Sequence, residues 1–206
     1  MAQKLTFNQE CCDKGGAKSL NLLVMGGHGV GKRTLSNRLI DCWRDSATSI
    51  SRQTSEDVLG IGGKTLQTQV QEASSGRTSF LQRVPTSDVY LLVYSITDDA
   101  SFEVAVNIRE RILNQKGANV PIVFAANKTD IGQSVDQIER VYRDLNISCE
   151  WEHGHVEISA EKDDSVFKVM EPILKRHNKY IDLTERTKSP AGLRSKLQAF
   201  KKWFFK

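Results

Sequence analysis

The chain has 206 residues, 26% of them charged, and a formal net charge of +4. That length suits one α/β domain with a tail, and no apolar run approaches the length of a membrane span. Seven basic and no acidic residues follow Glu185, so residues 1–185 carry 22 basic against 25 acidic side chains, a balance that excludes a general nucleic-acid face on the body.

Residues 1–17 are polar and read as a flexible arm. Its start, "MAQKLTFNQE", has no apolar signal core, and Ala2 is not the glycine that N-myristoylation needs. The four cysteines (Cys11, Cys12, Cys42, Cys149) lack metal-ligand spacing and read as thiols of a reducing cytosol. Palmitate on the adjacent Cys11 and Cys12 stays open. "SLNLLVM" (19–25) is an apolar run ending in glycines, as a buried strand would. Residues 32–44 suit a helix with Leu35, Leu39, Ile40 and Trp43 on one stripe. Residues 44–57 read as a polar loop, and 58–70 as a hairpin turning at Gly62-Gly63.

"VYLLVYSI" (89–96) is a second buried strand. Ser101 is placed to cap the next helix, with Phe102, Val106, Ile108 and Ile112 facing inward. "VPIVFAAN" (120–127) is a third strand, followed by a helix from Val135 to Leu145 and a strand near "HVEISA" (155–160). Residues 164–180 make the last core helix, with a kink expected at Pro172. Strands alternating with helices predict an α/β fold: a mostly parallel, six-stranded sheet covered on both faces over residues 18–183. In such sheets ligands bind beyond the carboxyl ends of the strands. No internal repeat interrupts this order.

Three motifs fall at such ends. In "GGHGVGKRT" (26–34), Gly26, Gly27, Gly29 and Gly31 permit tight turning. Backbone N–H groups from Gly26 through His28, Val30 and Thr34 can then surround an anion, and Lys32 can reach β- and γ-phosphates. Alone this is also an ordinary strand-to-helix turn. In "NKTD" (127–130), Asp130 can accept two hydrogen bonds from guanine N1 and N2, which adenine cannot supply. The Lys128 stem can cover the base and Asn127 can tie loops together. Alone this is also a turn built on Asn and Asp. In "SAEK" (159–162), a backbone N–H near Ala160, flanked by Ser159 and Glu161, can donate to guanine O6.

Together, in this order, these motifs resemble the Ras superfamily of small GTPases over residues 19 to about 182. The resemblance implies a P-loop NTPase fold with GTP or GDP as ligand, and a monomer is expected. Several positions depart from the family. Arg33 stands where a Ser or Thr would hold Mg²⁺, and Thr34 lies one residue late, turned about 100° along the helix. His28 crowds the position of the γ-phosphate. The D-x-x-G stretch reads "QVQEASSGRTSF" (69–80), with no Asp and with Arg77, not Gln, after Gly76. Thr48, Ser49, Ser51 and Thr54 leave the switch I ligand unassigned. No catalytic residue and no metal ligand is therefore assigned, hydrolysis is expected to be slow or absent, and Mg²⁺ binding is left open.

"QVQE" (69–72) and "DVYLLVYSITDDASFE" (88–103) look similar to the Rad, Gem, Rem and Kir branch, the RGK group; a group typified by RERG and Ras-like-11 is the alternative, as is a nucleotide-free interaction module. The RGK resemblance implies partners: the β-subunit of voltage-gated calcium channels, calmodulin and 14-3-3 proteins. Ser189 is a weak fit to a 14-3-3 site. The extension 184–206 is basic. Leu193, Leu197, Phe200 and Phe204 fall on one helical stripe, with Trp203 at its edge and Arg194, Lys196, Lys201 and Lys202 around it. Such a helix suits an anionic membrane surface or a calmodulin groove, which points to the inner face of the plasma membrane. There is no CaaX cysteine to prenylate.

Overall fold

The apolar runs become adjacent parallel strands in the computed structural model, which describes residues 19–50, 66–73, 83–131, 136–162 and 164–188, with the side chains of 45–50, 164 and 180–188 left out. Among the described residues the sheet has five strands in the order β2-β1-β3-β4-β5. These are β1 Leu20–Gly26, β2 Leu66–Glu72, β3 Val89–Ser95, β4 Ile122–Asn127 and β5 Gly154–Glu157. All four pairings are parallel. The helices are α1 Lys32–Ile50, α2 Asp99–Lys116, α3 Gln137–Leu145 and α4 Met170–Lys188. No described helix is long and apolar enough to cross a membrane.

β3 and β4 are buried along their whole length, the pattern of central strands covered on both faces. The period-2 alternation of the strands divides the core into two clusters. Leu22, Val24, Leu91, Val93 and Val123 pack with Leu35, Leu39 and Trp43 of α1 and Ile173 and Leu174 of α4. Leu23, Met25, Tyr90, Leu92 and Phe124 pack on the other face with Ala105, Ile108 and Ile112 of α2. The chain passes from β1 to one neighbour, β2, and then crosses to the other, β3. That reversal places a crevice at the carboxyl end of β1, where the glycine-rich loop emerges.

Several local expectations change. The six-stranded sheet becomes five described strands, because residues 51–65, which hold the Gly62-Gly63 turn, lie outside the described residues. So do the arm 1–17, Ser51 and Thr54, Gly76 and Arg77, Ser189 and the tail stripe from Leu193 to Phe204. α1 runs to Ile50, across the start of the stretch read as a polar loop. α2 begins at Asp99 after the N-cap Asp98, so Ser101 is inside the helix and is not its cap. The Ser101 hydroxyl is 4% exposed, accepts from Ser95 N–H (2.9 Å) and donates to Asp98 O (2.6 Å). It joins the end of β3 to the first turn of α2. α3 carries its cap on Asp136, whose side chain accepts from Ile138 N–H (2.9 Å), and is followed by one π-helical turn, Asn146–Glu150. Pro172 lies in the first turn of α4, after a 3₁₀ stretch Asp164–Val169, where a missing N–H costs least. It marks a helix start and not a kink.

The Ser101 link is open to test. Ser101→Ala removes the acceptor for a buried Ser95 N–H, which is expected to lower the unfolding free energy by about 1–3 kcal/mol. Urea denaturation measures the loss, and a change within error would show that the N–H finds another partner.

Candidate functional site

The loop after β1 is shaped by contacts that exclude side chains. A Cβ at Gly26 would lie 2.1 Å from Val93 O, and one at Gly31 would lie 2.3 Å from Asn127 Nδ2. Gly29 and Gly31 have φ of +69° and +90°, in the left-handed region that favours glycine. Gly27 and Val30 are buried, whereas His28 and Gly29 face solvent. α1 then starts at Lys32, with Leu35 N–H donating to Gly31 O (3.0 Å), so the loop leads into a helix N-terminus. Such an end carries unpaired N–H groups and partial positive charge. It forms a cradle for an anion.

Lys32 is 5% exposed, and its Nζ donates to Gly27 O across the loop. Burial lowers its pKa, the Glu72 carboxylate opposes that shift, and Arg33 adds to it. Arg33 and Thr34 are exposed on the first turn of α1. Neither offers a metal ligand in the place of the expected Ser or Thr.

Asn127, at the end of β4, joins two of the three motifs. Its Nδ2 donates to Val30 O (2.8 Å) and its Oδ1 accepts from Ala160 N–H (2.8 Å). The phosphate loop and the 159–162 loop are therefore held by one buried amide. This spends the Ala160 N–H, so guanine O6 needs a donor other than Ala160 in this conformation. Ala160 O accepts from Arg38 Nη1 (3.1 Å), a link from α1 that no motif indicated.

Lys128 adopts φ +67°, and Thr129 N–H donates to Ile158 O (3.2 Å), which brings 127–130 beside 158–162. Ser159 Oγ donates to Asp130 Oδ1 (2.8 Å), and Lys162 Nζ is 3.3 Å from Asp130 Oδ2. The Ser159 hydrogen bond leads the influences that hold the Asp130 carboxyl below its usual range, so it is ionised at neutral pH. An ionised, half-buried carboxylate suits a two-donor edge such as guanine N1–H and N2–H. Glu161 is exposed beside it.

The structure adds one acidic residue that sequence reading did not assign to the site. In the β1–β2 register Gly26 pairs with Glu72, and Ala73 N–H donates to Gly26 O (2.9 Å). The Glu72 carboxylate accepts from His28 Nδ1 (2.6 Å) and lies 3.9 Å from Lys32 Nζ. The His28 hydrogen bond is the largest of the influences that hold its pKa below the usual carboxylate range. The sequence signal was its place in the stretch read as D-x-x-G (69–80), and the strand pairing puts the end of β2 level with the end of β1.

A guanine nucleotide fits these residues: a glycine cradle, a buried lysine, and a carboxylate on the base side. Mg²⁺ fits less well. Arg33 stands in place of the expected hydroxyl ligand, and a guanidinium cannot coordinate a cation.

The sequence is also similar to known proteins. The Ras family model matches residues 21–179. The GTP-binding protein Rheb homolog of Dictyostelium discoideum is 29% identical over 169 residues, covering 79% of this chain and 89% of its own length. GTP-binding protein rhb1 of Schizosaccharomyces pombe is 28% identical over 162 residues, covering 76% of this chain and 86% of its own. Human GTP-binding protein Rhes is 26% identical over 161 residues, 72% of this chain and 60% of Rhes.

Gly31→Ala tests the loop geometry. It forces a Cβ against Asn127 and a strained φ, so it is expected to cost at least ~1 kcal/mol. It should also abolish the rise in melting temperature expected of the parent protein with GDP. Retention of that rise would show that the Asn127 link is not needed for the site.

Proposed function

The chain belongs to the Ras family, and from that premise we propose that it is a guanine-nucleotide-binding protein whose hydrolysis is slow or absent and whose nucleotide is held with little help from metal. One observation carries the reading: Asn127 ties the phosphate loop to Ala160 and Ser159 holds the Asp130 carboxylate, while the phosphate loop has Arg33 at the metal position. Phosphoryl transfer depends on positioning and charge stabilisation, and those are the parts that depart. Lys32 and the loop N–H groups would hold the phosphates, and Asp130 with the Lys128 stem would hold the base.

The finer placing in the RGK branch rests on resemblance at residues 69–72 and 88–103. The relatives described above carry Rheb and Rhes names, so they lend no support to that branch or to channel, calmodulin and 14-3-3 partners. We also propose a membrane role for residues 190–206, supported by their basic, aromatic stripe.

Titration of purified protein with GDP, GTP and ATP, in Mg²⁺ and again in EDTA, tests the nucleotide reading. GDP or GTP but not ATP is expected to bind, with affinity little changed in EDTA and little phosphate released. Absence of binding by both guanine nucleotides would overturn the reading, and a collapse of affinity in EDTA would overturn its metal part. Truncation after Ser189 is expected to remove binding to vesicles containing phosphatidylserine. Unchanged binding would move the membrane contact elsewhere.

A further inference from the structure

Glu72 stands where its charge matters to a nucleotide. It ends β2, level with Gly26, and its two carboxylate oxygens face two groups of the phosphate loop: His28 Nδ1 at 2.6 Å and Lys32 Nζ at 3.9 Å. Lys32 is the cation that a glycine-rich loop of this type aims at β- and γ-phosphates. It is buried, and its ammonium donates to Gly27 O. The protein therefore already places one anion beside that cation.

We propose that Glu72 competes with a terminal phosphate for Lys32, so that the site favours a guanosine diphosphate over the triphosphate. This deepens the guanine-nucleotide reading above and rests on it. A γ-phosphate adds negative charge within a few ångströms of an ionised carboxylate. Like charges at such range repel, and a bridging divalent cation is the usual remedy. Here Arg33 occupies the first-turn position that would help hold one. A diphosphate brings one phosphate fewer to Lys32 and so meets less of that repulsion. Triphosphate entry requires Glu72 to swing away and the His28 bond to break. Glu72 is half-exposed, so it has room to move, and the discrimination is one of affinity and not of access.

The experiment is calorimetric titration of the full chain with GDP and with a non-hydrolysable GTP analogue, for the parent, Glu72→Gln and His28→Ala. The parent is expected to prefer GDP. Glu72→Gln keeps the shape and removes the charge, so the preference should fall by about tenfold, mainly through tighter analogue binding. His28→Ala leaves Glu72 charged and without its imidazole partner, so the preference should hold or grow.

An unchanged ratio in Glu72→Gln overturns the proposal. So does a lost preference in His28→Ala, which would assign the discrimination to ring bulk. Weaker analogue binding in Glu72→Gln, together with lost Mg²⁺ dependence, overturns it as well, by making Glu72 a metal ligand. If the parent binds neither nucleotide, the guanine-nucleotide reading fails first and takes this inference with it. Binding of both with equal affinity refutes this inference alone.

Discussion

One buried amide holds the site together. Asn127 is 2% exposed and gives its N–H to the phosphate loop at Val30 and its oxygen to Ala160 N–H. Those partners are 97 and 33 residues away in sequence. Both bonds are made where water cannot replace them, so losing either leaves a buried backbone group unpaired. Gly31 follows from this, since a side chain there would meet the amide nitrogen. Fixing the amide fixes the distance between the phosphate side and the base side, which any ligand spanning both must match.

The fold was legible in the sequence to the extent that burial is periodic. Apolar runs at 19–25, 89–96 and 120–127 became β1, β3 and β4 because strands covered on both faces are apolar throughout. Local rules failed where tertiary partners decided. Ser101 looks like a cap in sequence, but it is spent on the end of β3. α3 shows the same limit. Its apolar Ile138, Val141, Tyr142 and Leu145 are exposed, while Arg143 is buried and paired with Asp99 and Glu139, with its guanidinium over Phe102. Charge pairing, not hydropathy, sets which face of α3 turns inward. Of the site, the glycine spacing and the Asn–Asp motif are contiguous and could be read. Glu72 lies in the degenerate D-x-x-G stretch, but its pairing with His28 and Lys32 comes from strand register, and Arg38 reaches the site through helix packing, which no short motif records.

The two halves of the site obey different physics. The base side is held by directional hydrogen bonds, Ala160 N–H to Asn127 and the Ser159 hydroxyl to the ionised Asp130 carboxylate. The phosphate side is governed by net charge. Lys32 and Arg33 are cations, Glu72 is an anion, and the helix N-terminus adds partial positive charge. Changes such as a missing hydroxyl ligand alter the second half without disturbing the first, because Asn127 touches the loop through a backbone carbonyl and not through the departed side chains.

Internal pairing of the buried Lys32 explains how the loop can hold its shape by itself. An ammonium taken out of water costs several kcal/mol unless paired. In a loop built for phosphates, the ligand supplies the pairing. Here Gly27 O and Glu72 supply part of it from within the chain, and Glu72 is in turn held by His28. The chain thus carries an anion of its own at the place where a nucleotide would bring several. A group that stabilises the empty loop must be displaced or tolerated when the loop fills. The same carboxylate that offsets the burial of Lys32 in the free protein therefore sets how much further negative charge the loop can accept.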